Sequence, residues 1–319
     1  MGTNLADELT SLNYYTILSD EEPASVYTNA NQRSFRITEP LQINMENDSL
    51  HMRFYSPVGI KEVTVMAKSP TMDEYVEFVY IDDIPAFADI KTSIKVLEKG
   101  VYRTESGKVQ QFSAEEMNPA SLSFKIACKD PYWTKISRIK AKWYIKFVLN
   151  GGNPVTGTPY KNWLGIRPVH CREAVALYLN IGYMCTLERF QQRVLTFQGT
   201  LLDNNKNAID TSKIISRLEN LSGFDIGLVY AGNGVIGLGG GRTWGVYQKS
   251  FLYHYNNRDG CCTTIFHELG HCLGYNHNST MTYGKWASGC ADVFYKNNIS
   301  DFPVNSHTIL NSRNNPNIY

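Results

Sequence analysis

The sequence predicts an α+β protein of two domains, a β-sandwich-like N-terminal domain over residues 1–150 and a mixed helix-and-strand domain over residues 165–319, with a linker at 151–164. Three observations predict it. From about residue 36, short runs rich in β-branched and aromatic residues alternate with turn residues, the pattern of a sandwich. The stretch Asn150-Gly151-Gly152-Asn153-Pro154-Val155-Thr156-Gly157-Thr158-Pro159 is rich in the residues that mark domain boundaries. After it, helical and extended patterns mix. They lead to His267-Glu268-Leu269-Gly270-His271-Cys272-Leu273-Gly274-Tyr275-Asn276-His277.

Residues 1–35 are polar, carry Asp7, Glu8, Asp20, Glu21 and Glu22, and have no steady period. They read as an extended lead-in. The strand runs that follow are His51–Tyr55, Ile60–Ala67, Tyr75–Ile81, Ser93–Leu97, Leu122–Ala127 and Ile139–Leu149. In Ile60–Ala67, Val63 and Val65 share one side, and Glu62, Thr64 and Met66 the other. Arg138–Phe147 mixes basic and aromatic residues with period two. Ile139, Ala141, Trp143, Ile145 and Phe147 point one way, which is a half-buried strand rather than a nucleic-acid face. The boundary composition implies that a fragment starting near residue 160 folds alone.

In the second domain, Ala174–Ile181 is apolar throughout, and periodicity does not choose between strand and short helix. Leu187–Val194 reads as a helix and Val194–Leu202 as extended. Asp210–Leu221 is a helix capped by Asp210 or Thr211, with Ile214, Ile215, Leu218 and Leu221 as its stripe. Phe224–Tyr230 is a strand. The run Gly234–Gly241 has no Gly-Lys-Ser/Thr ending, so it is not a phosphate loop. It is either a strand that admits another backbone closely or a flexible loop.

The chemistry lies in the histidine stretch. On a helix His267 and His271 stand one turn apart on one face, able to share a metal ion. Asp259 is the expected N-cap. Gly274 lets the chain leave the helix in a left-handed conformation, so that His277 returns as third ligand. Three neutral imidazoles leave one zinc position open for water, as catalytic sites do. Glu268 sits beside the ligands, where a carboxylate can act as general base without ligating.

This elongated motif resembles that of the metzincins, a clan of zinc endopeptidases. The resemblance is strong over residues 267–283, weaker over 165–266 and absent from 1–150. It implies a compact catalytic domain with a twisted mixed sheet around the active-site helix. It also implies Zn2+ as cofactor and a protein or peptide substrate. By the same resemblance the strand before the helix, within residues 234–241, forms the sheet edge that pairs with substrate. Ser279-Thr280-Met281-Thr282-Tyr283 is similar to the Ser-x-Met-x-Tyr turn of astacin-like and serralysin-like metzincins. There the Met lies beneath the zinc, and the Tyr ligates it or bonds the reaction intermediate. Here three residues separate His277 from Met281, a shorter connection than the clan usually uses.

Composition narrows the partners. Lys plus Arg is 31 against 30 for Asp plus Glu, which gives no electrostatic footprint for nucleic acid. No apolar run reaches the length of a membrane span. Met1-Gly2-Thr3-Asn4 does not read as a signal peptide. A secreted or cell-surface location is expected, with the export signal or lipid anchor absent from this sequence. Seven cysteines, four of them among residues 261–290, either staple the loops of an exported domain or serve as small buried hydrophobes. Cys128 is a poor candidate for a latency ligand. Two other readings remain: a surface or carbohydrate-binding protein that keeps a non-proteolytic zinc fold, and a zinc hydrolase of non-peptide amides.

Overall fold

Alternation in the first half of the chain becomes sheet with one covered face. In Ser49–Phe54 the residues Leu50, Met52 and Phe54 are fully buried, while Ser49, His51 and Arg53 between them are partly open. A computed structural model describes residues 7–9, 12–29, 33–46, 49–94, 99–255 and 261–305. It is mixed α and β, with several sheets. The chain divides into two compact units, Met1–Ile17 with Pro40–Thr134, and Leu18–Glu39 with Lys135–Tyr319.

The first unit holds two four-stranded sheets. One runs in the order Asp7–Leu9, Val76–Ile84, Ile60–Lys68, Ser123–Cys128; the other runs Tyr14–Thr16, Ala88–Ser93, Ser49–Phe54, Leu41–Glu46. A hairpin of Lys99–Arg103 and Val109–Ser113 accompanies them. The expected split of sides in Ile60–Ala67 holds only to Val65. The ladder to Val76–Ile84 shifts register between Val65 and Met66, and Met66 is buried with Val63 and Val65. An irregularity of this kind re-aims the residues after it. The run Ser93–Leu97 falls partly outside the described residues, and the strand there is Ala88–Ser93.

The expected domain boundary is displaced. The second unit's sheet runs Gly237–Gly240, Thr243–Tyr247, Gly223–Val229, Tyr144–Phe147, Ser34–Arg36, and Trp163–Leu164 also pairs with Gly223–Val229. Two of these strands come from before residue 150. Tyr144–Phe147 runs parallel to Gly223–Ile226, and Ser34–Arg36 pairs antiparallel beyond it. The lead-in assigned to residues 1–35 therefore includes strands Tyr14–Thr16 and Ser34–Arg36, and Phe35 is fully buried. The Gly- and Pro-rich stretch at 151–164 is no slack linker. A Cβ at Gly152 would lie 2.3 Å from the Leu164 carbonyl carbon, and one at Gly165 would lie 2.1 Å from the Pro154 nitrogen. Those glycines allow backbone to pack on backbone.

The strand residues of 138–147 behave as expected in burial, with Ile139, Ala141, Trp143, Ile145 and Phe147 all buried, although the ladder itself covers only Tyr144–Phe147. Trp143 stands edge-on to Phe224 and Trp244, and Tyr178 packs 4.8 Å from Trp244. Tyr178 belongs to Pro168–Thr186, a helix buried on nearly every side. A helix covered all round has no polar stripe, which is why Ala174–Ile181 showed no period. Glu188–Leu195 is helical as expected. Residues 196–200 turn rather than extend: Phe197, Gln198 and Thr200 donate to the carbonyls of Val194, Leu195 and Phe197. Asp210 caps a 3-10 turn at Thr211–Lys213 through the Ser212 N–H, and the α-helix proper is Ile214–Glu219.

These contacts set an expectation for fragments. A piece starting near residue 160 loses Trp143, Ile145 and Phe147 from the core. Each is worth about 1.5–3 kcal/mol when buried, against a total stability of about 5–15 kcal/mol for a typical domain. Such a fragment is expected to be insoluble or to melt without cooperativity. Residues 18–39 joined by a short linker to 135–319 are expected to fold. Far-UV circular dichroism and thermal melts of the two pieces check this. A cooperative melt for the shorter one restores the boundary near 150.

Candidate active site

The histidine helix spans Cys261–Cys272 and buries Ile265, Phe266, Leu269 and Cys272. Trp244 Nε1 donates to the Ile265 carbonyl at 3.2 Å, and Cys272 Sγ lies 3.2 Å from the Thr243 carbonyl, which fixes the helix against the neighbouring strand. The expected N-cap Asp259 lies outside the described residues. At the other end the helix closes as expected of Gly274. The Gly274 N–H donates to the His271 carbonyl at 2.9 Å and the Tyr275 N–H to the Gly270 carbonyl at 3.2 Å, with Gly274 at φ 90°. This is a left-handed C-terminal closure, and it delivers His277 back towards the helix.

The three imidazoles meet. His271 Nε2 is 3.2 Å from His267 Nε2 and 3.0 Å from His277 Nε2. One ligand atom from each lies within 4.8 Å of the other two, a set that can hold a metal ion. His271 Nδ1 is 2.6 Å from the Tyr275 carbonyl and must donate to it, so Nε2 carries the lone pair. The backbone of Thr282 hydrogen-bonds the His267 ring. Burial, then the neighbouring His271, push His267 down to about 4, and burial also lowers His271. Both shifts favour the neutral imidazole, the state a metal needs.

Glu268 is buried on the adjoining face, with Oε1 3.9 Å from His267 Nε2. Its carboxyl is pushed up to about 8 by burial. A dication at the histidines would oppose that shift. The edge strand Gly237–Gly240 runs beside it. A Cβ at Gly237 would stand 2.1 Å from Glu268 Oε1, and one at Gly239 would stand 2.6 Å from the Glu268 carbonyl oxygen. The glycine run is thus a strand, and its glycines make room for Glu268 and its helix. Among the described residues this strand ends the sheet.

Met281 and Tyr283 reach the same place despite the short connection. Met281 is fully buried, and its carbonyl would be 2.5 Å from a Cβ at Gly270, so the turn passes directly against the helix between its two histidines. The Tyr283 ring packs 4.6 Å from His267 and 5.3 Å from His277, and more than half of it is exposed. A cleft of about 560 Å3 opens here. Its walls are Ile236–Gly239 on one side and Thr263, Thr264 and the ligand and Glu268 side chains on the other, with Tyr283 at the rim.

Other residues belong to the site that the sequence did not disclose. Residues 202–206 bond the segment around His277, and Arg217 Nη2 donates to the Leu273 carbonyl at 2.9 Å. Thr263 donates to Asp292 at 2.8 Å, and Lys296 pairs with Asp292 at 2.9 Å, behind the helix start. The seven cysteines are free thiols, six of them buried, so the small-hydrophobe reading is the one realised. Burial pushes Cys272 and Cys290 up to about 12. Of the remaining histidines, His254 is buried 3.5 Å from Glu173 and hydrogen-bonded to Tyr295. His51 is set between Glu46 and Asp89. No helix among the described residues is long and apolar enough to cross a membrane.

Comparison with protein-family models, with curated proteins and with solved structures finds no match for this chain.

Proposed function

We propose that the chain is a zinc-dependent endopeptidase that hydrolyses peptide bonds of proteins. The observation that carries the reading is the placement of Glu268: a buried carboxylate, not itself among the three clustered nitrogens, facing the same cleft as all three. A structural metal site has no use for such a group. His267, His271 and His277 would hold the ion. Three imidazoles with a fourth position open is the donor set of catalytic zinc. Zinc there supplies an acidified water and an electrophile for the scissile carbonyl.

The chain's own residues account for the rest. Glu268 would take a proton from a water beside the imidazoles and return it to the leaving amine. The outer side of Gly237–Gly240 offers backbone N–H and C=O groups along the cleft, and an extended peptide can pair with them. A linear chain laid antiparallel or parallel to this strand passes the histidines. That favours a peptide over a compact non-peptide amide. Tyr283, exposed at the rim, edge-on to the His267 ring and tilted against that of His277, would meet the substrate there. Action outside the cytoplasm is proposed with the family resemblance.

Metal analysis and hydrolysis test the reading together. The purified chain, reconstituted with zinc, is expected to hold one ion, and His267→Ala or His271→Ala to hold none. Cleavage of a panel of unfolded proteins is expected to stop with chelator and return with zinc. A zinc content near zero in the wild type ends the metal reading. Stoichiometric zinc without cleavage favours a non-proteolytic zinc protein.

A further inference from the structure

His277 is the weak point of the ligand set. His267 and His271 are fixed by a helix, whereas His277 lies on the exposed stretch Asn276–Asn278, beyond the helix end. A ligand on a free tether loses conformational freedom when it binds, and that loss weakens the site. Something has to hold the tether beforehand.

The structure shows what holds it. Asn204 Oδ1 accepts from the Asn276 N–H at 2.8 Å, and Asn204 Nδ2 donates to the Gly274 carbonyl at 3.2 Å. One side chain thus spans the backbone immediately before His277. Beyond His277, Lys206 Nζ donates to the Asn278 carbonyl. Leu202 then closes the segment. Its N–H donates to Thr280 Oγ1 at 2.7 Å, and its carbonyl accepts from Ser279 Oγ at 2.6 Å and from the Thr280 N–H at 3.1 Å. The loop is itself braced: Asp203 Oδ1 accepts from the N–H groups of Asn205 and Asn207 at 2.8 and 2.9 Å, and Leu202 bridges Ala208.

We propose that the loop Leu202–Asn207 is the clamp that presents His277 to the metal, with Asn204 as its principal positioning residue. The inference rests on the three-histidine metal reading above. Asn204 is neither one of the clustered imidazoles nor a wall of the cleft; it acts through His277 by fixing the backbone that carries it. Outer-sphere partners of this kind typically change metal affinity by about 10- to 100-fold.

A double-variant cycle in the full chain tests it, with zinc affinity measured by competition with a chromophoric chelator. Asn204→Ala is expected to weaken zinc binding by about 10- to 100-fold. In a His277→Ala background, where no third imidazole remains to be positioned, the same change is expected to do little, within about 3-fold. Coupling between two residues appears as that difference. Cobalt substituted for zinc is expected to lose part of its tetrahedral absorption in Asn204→Ala. Melting of the metal-free proteins separates this from a general loss of fold. If Asn204→Ala does not fold, Asn204→Asp, which keeps the acceptor for Asn276 and lacks the donor to Gly274, enters the same cycle with a smaller loss expected. Unchanged zinc affinity, or an equal loss with and without His277, overturns the clamp while leaving the metal site standing. A wild type that binds no zinc overturns the metal reading and the clamp with it.

Discussion

Replacing Glu268 by Gln is expected to lower peptide hydrolysis by about two to four orders of magnitude, the usual worth of general acid–base catalysis, while zinc content and melting temperature stay near wild type. Gln keeps the size and the hydrogen-bonding shape but cannot take up a proton. Glu268 Oε1 and Oε2 face Gly237 and Gly239 in the cleft, and among the described residues their one ion-pair contact is with His267, at 3.9 Å. Removing the charge of a carboxyl whose burial already favours its neutral form relieves a desolvation cost. Stability is therefore expected to hold or rise slightly. The measurement is paired: cleavage rate beside zinc content and melting temperature, for wild type and Glu268→Gln. Equal cleavage rates remove Glu268 from the reaction. A large fall in melting temperature makes it a structural residue instead.

The parts of this site that were legible in the sequence are those whose geometry is local. Two histidines four apart on a helix, a glutamate beside the first, and a glycine that closes the helix are fixed by helix geometry alone. The structure brings His267, His271 and His277 together as that geometry implies. Met281 and Tyr283 reach the site despite the short connection because the turn packs directly on Gly270. What stayed hidden is long-range. Asn204 lies 72 residues before Asn276, and an asparagine in a polar loop carries no mark of its partner. The domain boundary misled for a related reason. Gly, Pro and Asn report turns and close backbone approach, and a turn-rich stretch can lie inside a unit as readily as between two. Gly152 and Gly165 are small because each meets the other's loop. The strands Ser34–Arg36 and Tyr144–Phe147 join the second unit through hydrogen bonds to partners that no local pattern names.

Gly237→Ala and Gly239→Ala are expected to fail in different ways, because the atoms they would meet differ. At Gly237 the added methyl would lie 2.1 Å from Glu268 Oε1, the far end of a flexible side chain. The carboxylate can swing aside by roughly 1 Å, a misplacement that costs about 100-fold in rate when a catalytic group is involved. Fold and zinc binding are expected to persist, since neither the helix backbone nor the three imidazoles need to move. At Gly239 the methyl would lie 2.6 Å from the Glu268 carbonyl oxygen and 2.9 Å from its Cα. Backbone cannot swing aside. The edge strand and the histidine helix must separate, with about 1–3 kcal/mol lost to overpacking. Gly239→Ala is therefore expected to lower the melting temperature and cleavage together, and Gly237→Ala to lower cleavage alone. Zinc content, melting temperature and cleavage rate of the two variants, measured side by side, check the difference. Full activity in Gly237→Ala would mean that the carboxylate position seen against this strand is not the one used in the reaction. The proton-transfer role of Glu268 would then have to be served from another rotamer.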